Sequence, residues 1–206
     1  MKQIVLLLLM TASTMLAETK VTFQQEGALP KGWDSGVTGN GKAKWEVVRD
    51  DSSLVLKQSG EATFCWAAKT DERIKDGFVE VRFKPLTGRE DQAGGLIFRV
   101  RDGNNYYVAR GNALENNVVL YKTVNGKRSS LPVKGKMFGY GVDAKVSSGK
   151  WNTLRVDFAG KLFAVSLNGS KLFEVEDETF KDAGGIGVWT KADSVTVFND
   201  FTYGTK

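Results

Sequence analysis

Residues 93–131 read AGGLIFRVRDGNNYYVARGNALENNVVLYKTVNGKRSSL, and their pattern decides the fold. Leu96, Phe98 and Val100 alternate with Ile97, Arg99 and Arg101. Tyr106, Val108 and Arg110 alternate with Tyr107 and Ala109, and Val118 and Leu120 alternate with Val119 and Tyr121. A period of two is the mark of strands that lay one face on a core. Asp102-Gly103-Asn104-Asn105 and Asn125-Gly126 supply turns, the second a dipeptide that accepts positive φ at little cost. The stretch therefore reads as four short strands joined by tight turns.

The same pattern continues outward. Val79, Val81 and Phe83 alternate with Glu80, Arg82 and Lys84; Leu154, Val156 and Phe158 with Thr153, Arg155 and Asp157; Phe163, Val165 and Leu167 with Ala164, Ser166 and Asn168. Asn168-Gly169 is a further hairpin turn. In the N-terminal third, residues 45–48, 53–56 and 62–68 read as edge or outer strands. Gly32-Trp33 and the glycine-rich residues 36–41 read as an entry loop, and residues 178–182 as one short helical turn. Short strands at such spacing predict a sandwich or barrel. With 206 residues, 3 Pro and 23 Gly, one domain over residues 18–206 is expected.

Residues 1–17 read as a secretory signal: Lys2, an apolar run over residues 4–10, then small residues ending at Ala17. Cleavage after Ala17, with Met15 at the −3 position, would send the protein to the periplasm or the exterior. No cysteine stands near that bond, so no stable membrane anchor is expected after cleavage. Cys65, the only cysteine, excludes an intramolecular disulfide. The net charge of +5 is spread, without the basic cluster that nucleic-acid binding needs. The absence of histidine excludes histidine triads, bases and metal ligands. Residues 36–42 have phosphate-loop spacing, but Ala43 stands where a magnesium-binding hydroxyl is required.

Chemistry is carried by the polar residues that alternate with the core. Arg82, Arg99, Tyr107, Arg110, Tyr121 and Trp189 are candidate ligand-binding residues, since aromatic faces stack on sugar C–H surfaces and guanidinium forks bind hydroxyls. Glu80 is the candidate catalytic carboxylate, with Asp193 or Asp200 as a second carboxylate from another strand. The competing reading is a solvated sheet face carrying weak cross-strand ion pairs. Asp102 and Asp200 are the candidate ligands of a structural calcium, against a turn that stabilises its own backbone; no other cofactor is required. Glu174-Val175-Glu176-Asp177-Glu178 resembles the Glu-x-Asp-x-Glu strand of family 16 glycoside hydrolases, but its centre is Glu and Glu178 enters a loop.

Several segments in this order carry a family resemblance: Trp45-Glu46-Val47, Gly77-Phe78-Val79-Glu80-Val81-Arg82-Phe83, Ala93-Gly94-Gly95-Leu96-Ile97-Phe98-Arg99, Gly149-Lys150-Trp151-Asn152 and Gly185-Ile186-Gly187-Val188-Trp189. The chain resembles the concanavalin A-like (laminin G-like) jelly roll, and more narrowly the bacterial 3-keto-disaccharide hydrolase domain family. That resemblance implies an all-β sandwich of two antiparallel sheets, with sugars on a concave face and calcium at a sheet edge. Three functions follow as expectations: binding an oligosaccharide or polysaccharide without catalysis, hydrolysis of a glycoside or 3-keto-disaccharide, or a protein-interaction module.

Overall fold

The computed structural model describes residues 17–206; the expected leader lies outside the described residues except for Ala17. The strands in chain order are β1 (Glu18–Val21), β2 (Trp33–Lys42), β3 (Trp45–Asp50), β4 (Ser53–Gln58), β5 (Glu61–Ile74), β6 (Gly77–Thr87), β7 (Ala93–Asp102) and β8 (Asn105–Asn112). They continue as β9 (Asn117–Val124), β10 (Lys127–Ser130), β11 (Val142–Asp143), β12 (Asn152–Ala159), β13 (Leu162–Leu167), β14 (Ser170–Glu176), β15 (Gly184–Ala192) and β16 (Val195–Thr205). The first sheet runs β14-β13-β12-β6-β16-β4-β3, with β1 also on β16; the second runs β10-β9-β8-β7-β15-β5-β2, with β11 on β9. All pairings are antiparallel, so the chain is an all-β jelly-roll sandwich.

Residues 93–131 form the expected four-stranded meander, β7 to β10. Asn125 and Gly126 both take positive φ, 49° and 78°, and set Val124 opposite Lys127. Two expectations are corrected. Residues 36–41 are not a loop: they lie in edge strand β2, which pairs with β5 from Trp33↔Lys69 to Lys42↔Glu61. Glycine here serves packing, because a Cβ at Gly36 would stand 2.5 Å from the Trp66 ring and one at Gly103 2.6 Å from it. The two glycines form the slot that receives this indole. Residues 178–182 form no helix.

The core between the sheets takes Val79, Val81 and Phe83 from β6, and Leu96 and Phe98 from β7. Tyr107 and Ala109 of β8 and Leu154, Val156 and Phe158 of β12 complete it. Phe98 stacks on Phe158 with centroids 4.9 Å apart and on Tyr107 at 5.2 Å. Burying such a ring stabilises the fold by about 1.5–3 kcal/mol.

One end of this core is closed by a polar seal. The Tyr107 hydroxyl donates to Asp177 Oδ1 at 2.6 Å, and Lys122 Nζ donates to Oδ2 at 2.8 Å. Burial alone would raise the Asp177 pKa, but hydrogen bonds from Lys122, Thr179 and Tyr107 hold it below the ordinary carboxylate value. A depressed folded pKa stabilises the fold above the unfolded value and ceases to as pH falls through the folded one. The stability difference between the parent and Asp177→Asn is therefore expected to be full at neutral pH and to shrink from about pH 5 downward. Thermal melts over that range measure it; a pH-independent difference would refute the role of charge.

Candidate ligand-binding face

The face of the second sheet turned away from the core is lined by apolar and aromatic groups, not by the charged ladder of a solvated sheet. Phe64, Ala68, Ile97, Tyr106, Val108, Val119, Tyr121 and Trp189 form a second buried cluster there, with Trp66 partly exposed against it. The Arg128 guanidinium, on edge strand β10, lies 4.1 Å from the Tyr121 ring, 4.5 Å from Phe64 and 5.4 Å from Trp189. Phe64 is on β5, five strand spacings from β10. In a flat sheet that is roughly 24 Å, more than an arginine and a phenylalanine can bridge. The sheet therefore curls, and this face is its concave side.

Alternation places the polar residues. On β8, Arg110 follows Tyr106 and Val108 onto the concave face. Its Nη2 donates to Glu115 Oε2 at 2.8 Å, to the Tyr140 hydroxyl at 2.9 Å and to the Tyr121 hydroxyl at 3.1 Å. Nη1 donates to Asn117. Burial would raise the Glu115 pKa, but donation from Arg110 and Asn117 holds it below the ordinary carboxylate value. Lys191 pairs with buried Asp91, which also accepts from Asn112. Tyr140 stands half exposed on the loop between β10 and β11, beside the fully exposed Met137 and Phe138.

Towards one end of the face opens a cleft of about 300 Å³, lined by Trp66, Asp34, Thr70, Arg73, Arg101 and Asp102. An aromatic ring beside two carboxylates and two guanidinium groups is a combination suited to a sugar.

Buried side-chain polar atoms without a hydrogen-bond partner among the described residues include Trp45 Nε1, Trp66 Nε1, Arg110 Nε and Arg128 Nη1, while the Trp189 and Thr123 side chains reach the Tyr106 hydroxyl. All but Trp45 belong to side chains of the concave face. Unpaired buried polar groups are rare and costly; these lie beneath the face, and the groups a ligand can meet are those of the cleft and the partly exposed Arg128.

The residues singled out by sequence do not share one face, which corrects that expectation. Arg110, Tyr121 and Trp189 do meet on the concave side, but Trp189 is fully buried in the cluster, not displayed. Glu80 and Arg82 are on the outer face of the other sheet: Glu80 is 3.8 Å from Arg155, and Arg82 pairs with Asp200 at 3.0 Å. Arg99 leaves the concave face because its φ of 47° and a register shift in β7 turn it into the end of the core. Tyr107 is in the core and its seal. Asp193 accepts backbone N–H groups of Arg89, Glu90 and Asp91, and so anchors a loop instead of pairing with Glu80.

Asp102 and Asp200 lie on different sheets and share no site. Asp102 accepts from the Asn104 N–H at 2.7 Å and from Asn105, and Asp200 from Lys20 at 2.5 Å and Arg82. Among the described residues no group of three or more acidic or cysteine side chains converges as a metal site. Glu174 and Glu176 end β14 in ion pairs with Lys134, as expected of an acidic strand end.

Sequence reading missed Phe64, Trp66, Asp91, Glu115, Arg128, Tyr140 and Lys191. The hairpin held a signal for Arg128: a two-residue turn at Asn125-Gly126 sets Arg128 opposite Thr123, hence on the face of Tyr121.

Residues 19–201 match the sequence profile of the 3-keto-alpha-glucoside-1,2-lyase-like domain. No curated protein sequence matches the chain. Among solved structures, the family 66 carbohydrate-binding module of Bacillus subtilis is similar with a TM-score of 0.69 at 20% identity, over 84% of this chain and 95% of that one. A Bacteroides ovatus mixed linkage glucan family 16 glycoside hydrolase, in complex with a G4G4G3G product, is similar with a TM-score of 0.61 at 9% identity, over 89% of this chain and 98% of that one. A prokaryotic β-1,3-1,4-glucanase from a mouse hindgut metagenome is similar with a TM-score of 0.60 at 12% identity, over 91% of this chain and 98% of that one. At these identities the likeness is one of fold.

Proposed function

The chain belongs to the 3-keto-alpha-glucoside-1,2-lyase-like domain family, and on that premise we propose that it binds an oligosaccharide or polysaccharide on the concave face of the second sheet. One observation carries the reading: the cleft at the end of that face sets the partly exposed Trp66 ring beside the carboxylates of Asp34 and Asp102 and the guanidinium groups of Arg73 and Arg101. A sugar presents many acceptor oxygens and apolar C–H surfaces, so it complements both features. The carbohydrate-binding and glycan-acting names of the similar folds point the same way. The leader pattern of residues 1–17 supports export to the periplasm or the exterior, where such glycans are met.

Calorimetric titration with a panel of oligosaccharides tests the proposal. Trp66→Ala is expected to weaken binding by tenfold or more, as loss of a stacking ring does, and also to lower the melting temperature, because it empties the slot between Gly36 and Gly103. Parent-like affinity would remove Trp66 and its cleft from the site.

A second reading is favoured by the cleft itself, where Asp34 and Asp102 stand with Arg73 and Arg101 around Trp66. In a 3-keto-glycoside the proton on C2 is acidified by the neighbouring carbonyl. A carboxylate could remove it while a guanidinium stabilises the enolate oxygen; the C1–O bond then breaks, a C1–C2 double bond forms, and the departing glycosidic oxygen takes the proton back from the carboxylic acid to leave as an alcohol. Mass spectrometry of the incubated sugars separates the readings: new products establish catalysis, intact sugars leave binding.

A further inference from the structure

Of the three cations at the centre of the concave face, two are paired with a carboxylate and one is not. Lys191 has Asp91, and Arg110 has Glu115. The buried Arg99, at the end of the core, has Asp76. Arg128 has no carboxylate within ion-pair distance among the described residues, and its Nη1 is buried without any hydrogen-bond acceptor. It is held by three aromatic rings instead. Cation–π contacts hold a guanidinium less firmly than the charge-assisted fork of a carboxylate does. Burial, then the nearby Arg110 charge, depress its pKa. The cage is thus a poor counterion, and Arg128 has no carboxylate of its own.

Arg128 Nη1 can only donate, so what completes it has to be an acceptor. Arg128 as a residue stays partly exposed although Nη1 is sheltered. An incoming oxyanion can reach its guanidinium without dismantling the cage.

We infer that the glycan bound on this face is acidic, and that an oxyanion of the sugar, a uronate carboxylate or a sulfate ester, pairs with the Arg128 guanidinium. The inference rests on the proposed carbohydrate binding and narrows its substrate class. Tyr121 forms the floor of the subsite, because it lies under Arg128 and hydrogen-bonds Arg110. The sugar ring extends from there along the face.

The probes are a tetragalacturonide, its fully methyl-esterified form, a sulfated galactan tetrasaccharide and a neutral glucan tetrasaccharide, each titrated by calorimetry into the full chain. The expected result is that the uronate or the sulfated sugar binds at least tenfold more tightly than the methyl ester. Added salt weakens that binding. Arg128→Gln abolishes the preference, and Arg128→Lys, which keeps the charge but not the fork, retains part of it. Whichever acidic sugar binds identifies the oxyanion. An ester bound as tightly as the acid, or an unaltered preference in Arg128→Gln, would overturn the inference and leave carbohydrate binding standing. Binding of the neutral glucan alone would do the same. If no sugar of the panel or of the wider oligosaccharide set binds, both fall. The lysine variant carries the test if the glutamine variant does not fold.

Discussion

Trp189→Ala is expected to destabilise the protein by about 3–5 kcal/mol, the range for deleting a large buried aromatic side chain. The indole is fully buried and lies 5.3 Å from the Phe64 ring at 31°. Its other neighbours on the face are Tyr106, Tyr121 and the Arg128 guanidinium. The residues on either side of Trp189 in β15, Val188 and Thr190, face the core and stay out of the space it fills. For a domain of this size the loss corresponds to a fall of roughly 6–20 °C in Tm. Urea unfolding measures it, and Trp189→Phe should recover a large part. A loss under about 1 kcal/mol would mean that the indole is displayed to solvent, as its alternation with Ile186 and Val188 alone suggests.

Arg99→Met is expected to cost about 3–5 kcal/mol, the range for removing one partner of a buried charged network. Nε donates to the Lys75 carbonyl at 3.0 Å, Nη1 to the Phe180 carbonyl at 2.8 Å, and Nη2 to the Gly160 carbonyl at 2.7 Å and to Asp76 at 3.3 Å. The guanidinium also lies 5.3 Å from the Phe163 ring. One planar fork thereby ties together the β5–β6 turn, the β12–β13 turn and the segment before β15. Methionine keeps the stem but leaves these acceptors unpaired. Arg99→Lys should recover less than half of the loss, since a single ammonium cannot serve three directions at once. Equilibrium denaturation of the three proteins decides it; near-parent stability of the lysine variant would show that charge alone suffices.

These two residues also show what sequence could and could not reveal. The fold was legible because alternation, turn dipeptides and segment order agree over β6 to β16. The face of Trp189 was legible too, but not its burial. Burial depends on sheet curvature, which brings Phe64 and Arg128 over it from distant strands. For Arg99 the alternation itself misleads: one residue at positive φ shifts the phase, so Val100 joins Ile97 on the concave face and Arg99 turns into the core end. Glu80 and Arg82 alternate as read, but strand order puts them on the other sheet. A period of two separates two faces of one sheet; it cannot tell which sheet a strand will join. Trp66 escaped notice because nothing local reveals that Gly36 and Gly103 make a slot for it.

Strand β16 lies between β6 and β4, so the strand synthesised after all the others fills the middle of the first sheet. Until it leaves the ribosome, β3 and β4 have no neighbour linking them to β6, and β1 has no partner at all. The nascent chain can assemble the meander β7 to β10 early, because its contacts are local. Closure of the first sheet has to wait for β16, and such late, non-local pairing makes folding slow. In the interval the open edges of β6 and β4 are exposed to misassociation.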